Sequence, residues 1–416
     1  MRVLVLGSGA REHAIAWKFS KSNIITRLFI APGNAGTKAI GENININPES
    51  ATEVIDVVKK YNIDYVFVGP EAPLAAGIID ALQSQKIACF GPHLKASQLE
   101  ASKVFSKQFM MRHKIPTANA IEFSSFKNFK DYLKSVEGKV VIKKSGLAAG
   151  KGVFESDDKV DLLAFGKEML QNDKILVEEF LTGYEISIFA LTDGKNFVML
   201  PPCADFKKSG EGDSGLNTGG MGAICPVPIV SESLLDTIKT KIVAPTFKGM
   251  AKESLSYKGI LYFGLMITSK GPKLLEYNVR FGDPETQALL PLIDCDFCEL
   301  MKAIEAGTLL DFEFDIKPQY SVGVVVAAKG YPGKYKKNIA VTNLPSDKDN
   351  RVLFHAASAY DENNIVTTGG RCFTVVGQGD NLIDAASISY SGVKDVSFDG
   401  AWYRSDIGNK FITKEF

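Results

Sequence analysis

Glu276, Asn278 and Arg280 recur at two-residue spacing within 275–287, LEYNVRFGDPETQ. On a β-strand from Leu275 to Phe281 these three share one face, and Leu275, Tyr277, Val279 and Phe281 share the other. A carboxylate beside an amide oxygen suits a hard cation such as Mg²⁺, which takes one or two protein oxygens and leaves other positions to substrate phosphates. A guanidinium closing the row suits a phosphate or carboxylate gripped through two N–H groups. An amphipathic edge strand with a wet outer face would alternate in the same way. The acidic turn that follows, Gly282-Asp283-Pro284-Glu285-Thr286, favours a site.

Two glycine-rich runs offer further chemistry. The first is Lys143-Lys144-Ser145-Gly146-Leu147-Ala148-Ala149-Gly150-Lys151-Gly152. It is not a Walker loop: the glycine spacing differs, Gly152 stands where Ser or Thr belongs, and a strand follows instead of a helix. A glycine loop between strands reads as a flap that closes its N–H groups over phosphates, with Lys151 and Lys143 adding charge. It is expected to be mobile without nucleotide and ordered with it; a plain hairpin tip is the alternative. After it, Val177-Glu178-Glu179-Phe180-Leu181 ends a strand in two carboxylates, a segment able to run along an adenine while Glu185 takes a ribose hydroxyl. The second run, 213–223, holds Asn217, Thr218, Gly219 and Gly220, with Asp205, Lys207 and Lys208 upstream. So many glycines exclude regular structure, and Met221 with the apolar residues after it predicts a packed loop.

The elements that must position these groups alternate at the N-terminus. RVLVLG, RLFIAPG, YVFVGPE and IACFGP are short apolar strands ending in Gly or Pro, with helical segments at 11–21 and 72–85. That pattern predicts a Rossmann-like parallel sheet whose ligand edge lies at the strand carboxyl ends. Gly7-Ser8-Gly9 opens like a dinucleotide fingerprint, but Glu12 replaces its third glycine and Ala31-Pro32-Gly33-Asn34 lacks the ribose-binding acid, so a dinucleotide is not expected. A phosphate on the helix after Gly9 remains open, as does a tight turn with no ligand. Beyond these, the patterns predict a helix over 95–113, strands at KVVIKKSG, GVFES and KILVEEFL, and helices near 125–135 and 158–171. They also predict a hairpin over 184–201 turning at Asp193-Gly194, a long helix over 232–255, and strands at 259–268 and 273–281. A last, short-stranded unit opens near Tyr320 and includes the turns Tyr331-Pro332-Gly333 and Thr368-Gly369-Gly370-Arg371.

The 416 residues carry 48 basic and 48 acidic side chains, so no bulk charge draws the chain to nucleic acid or an anionic membrane. An apolar content of 45% with 37 glycines fits an α/β enzyme. The first apolar run spans only Val3 to Leu6, which reads as a strand and not a secretion signal, and no uncharged run approaches the roughly 18 residues of a membrane span. Six scattered cysteines suit reduced thiols and a cytoplasmic setting. Cys295 and Cys298 read as core spacing within a helix.

Taken in order, GSGAREHAIAWK, APGNAGT, VGPEAPL, GLAAGKGV, NTGGMGA and EYNVRFGDPETQ resemble the ATP-grasp superfamily and, within it, the glycinamide ribonucleotide synthetase (phosphoribosylamine–glycine ligase) family. The resemblance spans the chain from Arg2 past Gly370-Arg371. It implies an ATP-grasp core with a lid and a β-rich C-terminal domain, divided at 1–101, 102–319 (lid 117–183) and 320–416. It also implies a reaction: ATP, glycine and 5-phosphoribosylamine give ADP, phosphate and glycinamide ribonucleotide through a glycyl phosphate, in purine biosynthesis. By the same resemblance Glu276 and Asn278 are ligands to Mg²⁺ or Mn²⁺. Lys103, Lys143, Glu179, Leu181 and Glu185 contact ATP beneath a flap containing Gly146, Gly150, Lys151 and Gly152. Arg280 and Lys143 neutralise the transferring phosphoryl group. Asp205, Asn217, Thr218, Gly219 and Gly220 line the acceptor site, and Gly9, Asn34 and Glu71 lie near phosphoribosylamine.

The chain departs from the family pattern in places. Lys144-Ser145 replaces Ala-Asp, Asp205-Phe206-Lys207-Lys208 replaces Asp-His-Lys-Arg, and Ser214 and Leu216 replace Thr and Pro. None of these touches the expected metal ligands, so an active enzyme with at most altered kinetics is expected. Its partners are expected to be small molecules alone, without nucleic acid or membrane, and its form a monofunctional monomer or weak dimer. Two rivals are a different ATP-grasp ligase that adds bicarbonate or another carboxylate to a purine intermediate, and a nucleotide-binding regulator without catalysis. NTGGMGA with GDPETQ argues against the first, and the presence of Glu276 and Lys143 against the second.

Overall fold

A computed structural model describes residues 1–147 and 152–413. Strands Arg2–Gly7, Arg27–Pro32, Glu42–Asn43, Tyr65–Val68 and Ala88–Phe90 form a parallel sheet, with Arg2–Gly7 at its centre. Val3 and Val5 pack with Ala14 and Ile15 of helix Ala10–Ser20, while Leu4 and Leu6 pack with Val54 and Val58 of helix Ala51–Tyr61. Coverage of both faces explains why these strands are continuous apolar runs without alternation. Their exits at Gly7, Gly33, Gly69 and Gly91 share one edge of the sheet, the edge at which open α/β sheets bind ligands.

Helix 95–113 is two helices, Leu94–Ala101 and Lys103–Arg112. Ser102 is extended between them, its hydroxyl accepts the Phe105 N–H at 3.2 Å, and the freed Lys103 N–H donates to Ser145 O at 2.8 Å. The break therefore fixes Lys103 against the end of a lid strand. The lid is an antiparallel sheet ordered Ala120–Phe123, Ile175–Glu179, Val140–Lys144, Val153–Ser156. Helices Phe126–Lys134 and Lys159–Met169 cover it around a separate core of Phe129, Leu133, Ile142, Leu162 and Val177. The helices approach closely at Gly166, where a Cβ would lie 2.2 Å from the Phe129 ring.

Beneath the lid, Phe197–Met199, Tyr184–Asp193, Lys258–Thr268 and Gly271–Asn278 form a second antiparallel sheet, including the hairpin expected at Asp193-Gly194. The expected single helix over 232–255 instead contains a π turn, Lys239–Val243, between Glu232–Ile238 and Ala244–Lys252. Pro245 accounts for the wider turn, since it has no N–H for the carbonyl four residues back and its ring crowds that carbonyl. Cys295 also departs from expectation: helix Phe297–Ala306 begins after it, capped by Asp296, and only Cys298 is buried within that helix.

The C-terminal unit is not built from its own strands alone. Tyr320–Ala328 pairs with Gly222–Cys225, so the sheet runs Ala204–Asp205, Gly222–Cys225, Tyr320–Ala328, Arg371–Gly379, Arg351–His355. The glycine loop between Asp205 and Gly222 thus leaves and re-enters one sheet shared by the central and C-terminal regions. No helix among the described residues is long and apolar enough to cross a membrane.

His13 and His355 join the N-terminal sheet to the C-terminal unit. The His355 N–H donates to His13 Nδ1 at 2.9 Å, and both rings are buried. Burial, then the neighbouring His355, lowers His13 from 6.5 to about 3, and burial lowers His355 to about 4. Both histidines fold neutral, so the unfolded chain binds more protons below its own value of 6.5. Their contribution is fully present above that value and is lost progressively as pH falls towards the folded values. Thermal melts should lose stability between pH 6.5 and the ordinary glutamate value of 4.5, before most carboxylates titrate. His13→Asn should flatten that slope; a wild-type midpoint constant across the window contradicts the account.

Candidate active site

The three-residue row of Glu276, Asn278 and Arg280 forms part of one wall of a cleft of about 1490 Å³ between lid, central sheet and C-terminal unit. That volume exceeds the roughly 300–1,000 Å³ of a typical single-ligand pocket, leaving room for a nucleotide and a second substrate. The strand does not alternate as strictly as its sequence suggests. Leu265 pairs with Leu274 and Gly264 with Glu276, which leaves Leu275 as a bulge and makes Leu274 and Tyr277 the buried residues. The bulge re-aims the chain: Leu275 O accepts from Lys143 Nζ at 3.3 Å. Pairing ends at Asn278, so Arg280 lies on the turn beyond the strand.

Opposite Glu276 stands Gly264, where a Cβ would lie 3.2 Å from Glu276 Cγ. Burial raises the Glu276 carboxyl, but Lys207, Lys143, Lys103 and Arg280 outweigh it and hold the group below its ordinary value. Among the described residues these cations surround the carboxylate without hydrogen-bonding to it, so its oxygens remain available. Asn278 Oδ1 accepts one bond, from Arg280 Nη2 at 3.1 Å. No group of three or more His, Cys, Asp or Glu side chains among the described residues forms an all-protein metal cage. A carboxylate and an amide oxygen facing a cleft rich in cations fit a Mg²⁺ ion that completes its shell with phosphate and water.

Arg280 is held by carboxylates. Nη2 lies 2.8 Å from Glu100 and Nε 3.5 Å from Glu71, while Glu100 also accepts the Val279 N–H at 2.9 Å. Among the described residues Nε is buried without a hydrogen-bond partner, an open donor beside the cleft. Burial raises Glu71, yet Arg280 and Arg11 bring it down to about 2. Lys143 sits on a second hub: it and Lys107 each lie 2.8 Å from the buried Glu178. Burial lowers Lys143, and Glu178 and Glu276 more than restore it, so its charge is retained. Lys103 lines the cleft nearby, its pKa lowered by burial and partly restored by Glu276.

The remaining expected nucleotide contacts divide. Leu181, Glu185 and Glu179 line the cleft; Lys207 lies 2.6 Å from Glu185, and Glu179 accepts from Asn119 N at 2.9 Å. Gly152 lines it too and accepts from Lys144 N at 2.7 Å. The Gly146 N–H instead donates to Asp173 at 2.7 Å, outside the lining. Gly150 and Lys151 lie outside the described residues. Lys144 alternates away from the lining, and Ser145 is buried with its hydroxyl 3.4 Å from that of Ser102.

Of the residues expected at the acceptor site, Asp205, Asn217, Thr218 and Gly219 line the cleft, while Gly220 lies behind them. Gly220 has φ +106°, and a Cβ there would lie 2.3 Å from Pro284 and 2.5 Å from Asp205 Oδ1, so only glycine fits. Arg371 clamps this loop, donating to the carbonyls of Gly219, Gly220 and Asp283 and pairing with the Asp283 carboxylate at 3.1 Å. Among the described residues Asp205 Oδ1 is buried without a hydrogen-bond partner, and burial, then Glu285, pushes that carboxyl well up.

Of the residues expected near phosphoribosylamine, only Glu71 lines the cleft. Asn34 Nδ2 donates to Ser8 O at 2.9 Å and His355 O at 2.8 Å, joining the first loop to the C-terminal unit. The anion at the helix start after Gly9 is the protein's own: Glu12 accepts the Gly9 N–H at 2.7 Å and pairs with Arg11 at 2.6 Å. Glu178, Lys107, Glu100 and Arg371 complete the site without being among the candidates read from sequence. Glu178 carried a signal, since strand alternation through Val177-Glu178-Glu179 turns it away from the exposed Glu179.

A small antiparallel sheet over a cleft lined by Glu276, Asn278 and several cations is the architecture of an ATP-grasp ligase. Residues 1–100, 101–286 and 321–410 match, in turn, the N domain, the ATP-grasp (A) domain and the C domain of phosphoribosylglycinamide synthetase. The phosphoribosylamine–glycine ligase of Caldanaerobacter subterraneus subsp. tengcongensis is 42% identical, with 98% of this chain and 99% of that one covered. The crystal structure of the Thermotoga maritima ligase of the same name superposes with TM-score 0.86 at 33% identity, covering 98% of this chain and 100% of that one. A biotin carboxylase from Campylobacter jejuni shares the fold alone, with TM-score 0.76, 13% identity, and 100% and 97% of the two chains covered. The chain belongs to the phosphoribosylglycinamide synthetase family.

Proposed function

We propose that this protein joins glycine to 5-phosphoribosylamine at the expense of ATP, giving glycinamide ribonucleotide, ADP and phosphate in purine biosynthesis. One observation carries the reading: Glu276 and Asn278 face a cleft in which Lys103, Lys143, Lys207 and Arg280 surround the carboxylate. Phosphoryl transfer demands positioning and charge neutralisation more than covalent help from the protein. Lys143 and Arg280 meet the charge on the moving γ-phosphoryl group as it passes from ADP to a glycine carboxylate oxygen. Lys103, Glu179, Leu181 and Glu185 hold the nucleotide, with Gly152 beside its phosphates. A Mg²⁺ or Mn²⁺ ion on Glu276 and Asn278 supplies further neutralisation of phosphate charge when bound. The amine of phosphoribosylamine then attacks the acyl carbon, phosphate departs, and the new amide nitrogen loses a proton. Closure matters because the acyl phosphate must be kept from water.

In this reading Asp205 and Asn217 to Gly220 receive glycine, Glu71 faces phosphoribosylamine, and Gly9 and Asn34 shape that end of the cleft from behind. The domains divide at 1–101, 102–319 and 320–416, with 117–183 moving as the lid. The enzyme works in the cytoplasm as a monomer or weak dimer on small molecules alone. A coupled ADP assay with freshly generated phosphoribosylamine tests the reaction by omitting each substrate in turn. Sustained ADP release should require ATP, glycine and the amine together; release dependent on bicarbonate and indifferent to glycine would overturn the reading.

A further inference from the structure

We propose that Arg404, near the C-terminus, is a positioning residue that sets the acceptor loop and thereby affinity for glycine; this rests on the reading of Asn217 to Gly220 as the acceptor site. Arg404 is only 2% exposed. Nη1 donates to Lys208 O at 2.9 Å and pairs with Asp213 at 3.1 Å, while Nε and Nη2 grip Asp406 at 2.8 and 2.7 Å. Asp406 in turn accepts the Gly212 N–H at 2.9 Å. Lys410 pairs with Asp213 at 2.8 Å, and the Ser405 hydroxyl donates to Glu211 at 2.5 Å. The C-terminal segment thus grips both backbone and side chains of 208–213.

That grip has a route to the cleft. Lys208 is the strand partner of Asn217, and Gly210 that of Ser214, so 208–217 is a short hairpin whose first strand places its second. Its second strand, Ser214–Asn217, is exposed throughout. Beyond Asn217 the loop is held by Thr218, whose N–H and hydroxyl each donate to Lys207 O at 2.8 Å, and by Gly219, which meets the Tyr331 hydroxyl and the Arg371 clamp. The contacts at 404–411 reach Asn217 from the other side, through Lys208. Phe206, where the family pattern has His, belongs to the same anchor. Its buried ring lies 6.1 Å from that of Phe411, with the Arg404 guanidinium 5.4 Å and the Lys410 ammonium 4.7 Å from its centroid. An aromatic face under two cations is a stable seat, and a planar fork on a carbonyl and two carboxylates is one that lysine cannot reproduce.

The test is steady-state kinetics of the full chain with each substrate varied, using Arg404→Lys, Asp213→Asn and Asn217→Ala, alongside thermal melts. Asp213→Asn removes a half-exposed partner of Arg404 and keeps the test open if the buried substitution does not fold. Arg404→Lys should raise KM for glycine about tenfold, with KM for ATP changed less than about twofold. Asp213→Asn should shift KM for glycine the same way by less, and Asn217→Ala by at least as much. An Asn217→Ala effect with Arg404→Lys and Asp213→Asn silent overturns the positioning role and leaves the acceptor reading standing. Silence at Asn217→Ala overturns the acceptor reading and this proposal with it. A parallel rise in every KM together with a lowered melting temperature shows a brace for the fold only, and also overturns the proposal.

Discussion

Glu276→Ala should lower kcat by about 10²-fold or more while leaving the fold intact, as expected when a metal ligand is lost from a phosphoryl-transfer site. Glu276 faces Gly264 across the sheet, and among the described residues four cations surround its carboxylate without hydrogen-bonding to it. Among the described residues truncation therefore breaks no hydrogen bond, while it removes the carboxylate proposed to hold the metal. The loss should fall on turnover, and added Mg²⁺ should recover part of it. The checks are kcat at saturating ATP over a range of Mg²⁺ concentrations and a thermal melt. Turnover near that of the wild type at ordinary Mg²⁺ would rule out the assignment.

Glu178→Leu should be the most destabilising single change near the site. Glu178 is 3% exposed and lies 2.8 Å from both Lys107 and Lys143, themselves almost fully enclosed. Removing one partner of a buried ion pair costs about 3–5 kcal/mol, because the remaining charge is left without compensation. Here two lysines lose their carboxylate, although Lys107 keeps Thr117 Oγ1 at 2.7 Å and the Ala118 carbonyl at 3.2 Å. Denaturant unfolding should show a marked drop in midpoint, and ATP affinity should weaken as Lys143 loses its anchor. By contrast, replacing Glu299, whose side chain and that of its partner Lys302 are about half exposed, should leave the midpoint nearly unchanged. Equal midpoints for Glu178→Leu and the wild type would mean that the hub bears no stability.

Much of this was legible in the sequence because the signals are local. Apolar runs ending in Gly or Pro marked the parallel strands, and Glu276, Asn278 and Arg280 could be read as one row. What escaped depends on distant pairing. The bulge at Leu275 follows from its register against Gly264 and Leu265, which alternation alone does not reveal. The break at Ser102 goes with a bond from the Lys103 N–H to Ser145 O, beyond strand Val140–Lys144, and Arg371 reaches the Gly219 carbonyl from 152 positions away. Glu178 was visible as a carboxylate; its role depends on Lys107 and Lys143 arriving from a helix and a neighbouring strand. Glu12, in the third-glycine position of a dinucleotide fingerprint, turns out to cap its own helix.

The most direct test of the central claim is a crystal structure with a non-hydrolysable ATP analogue and Mg²⁺. The account predicts the triphosphate between Lys143, Lys103 and Arg280, with the metal on Glu276 and Asn278. A triphosphate bound elsewhere, away from Glu276 and Lys143, would contradict it.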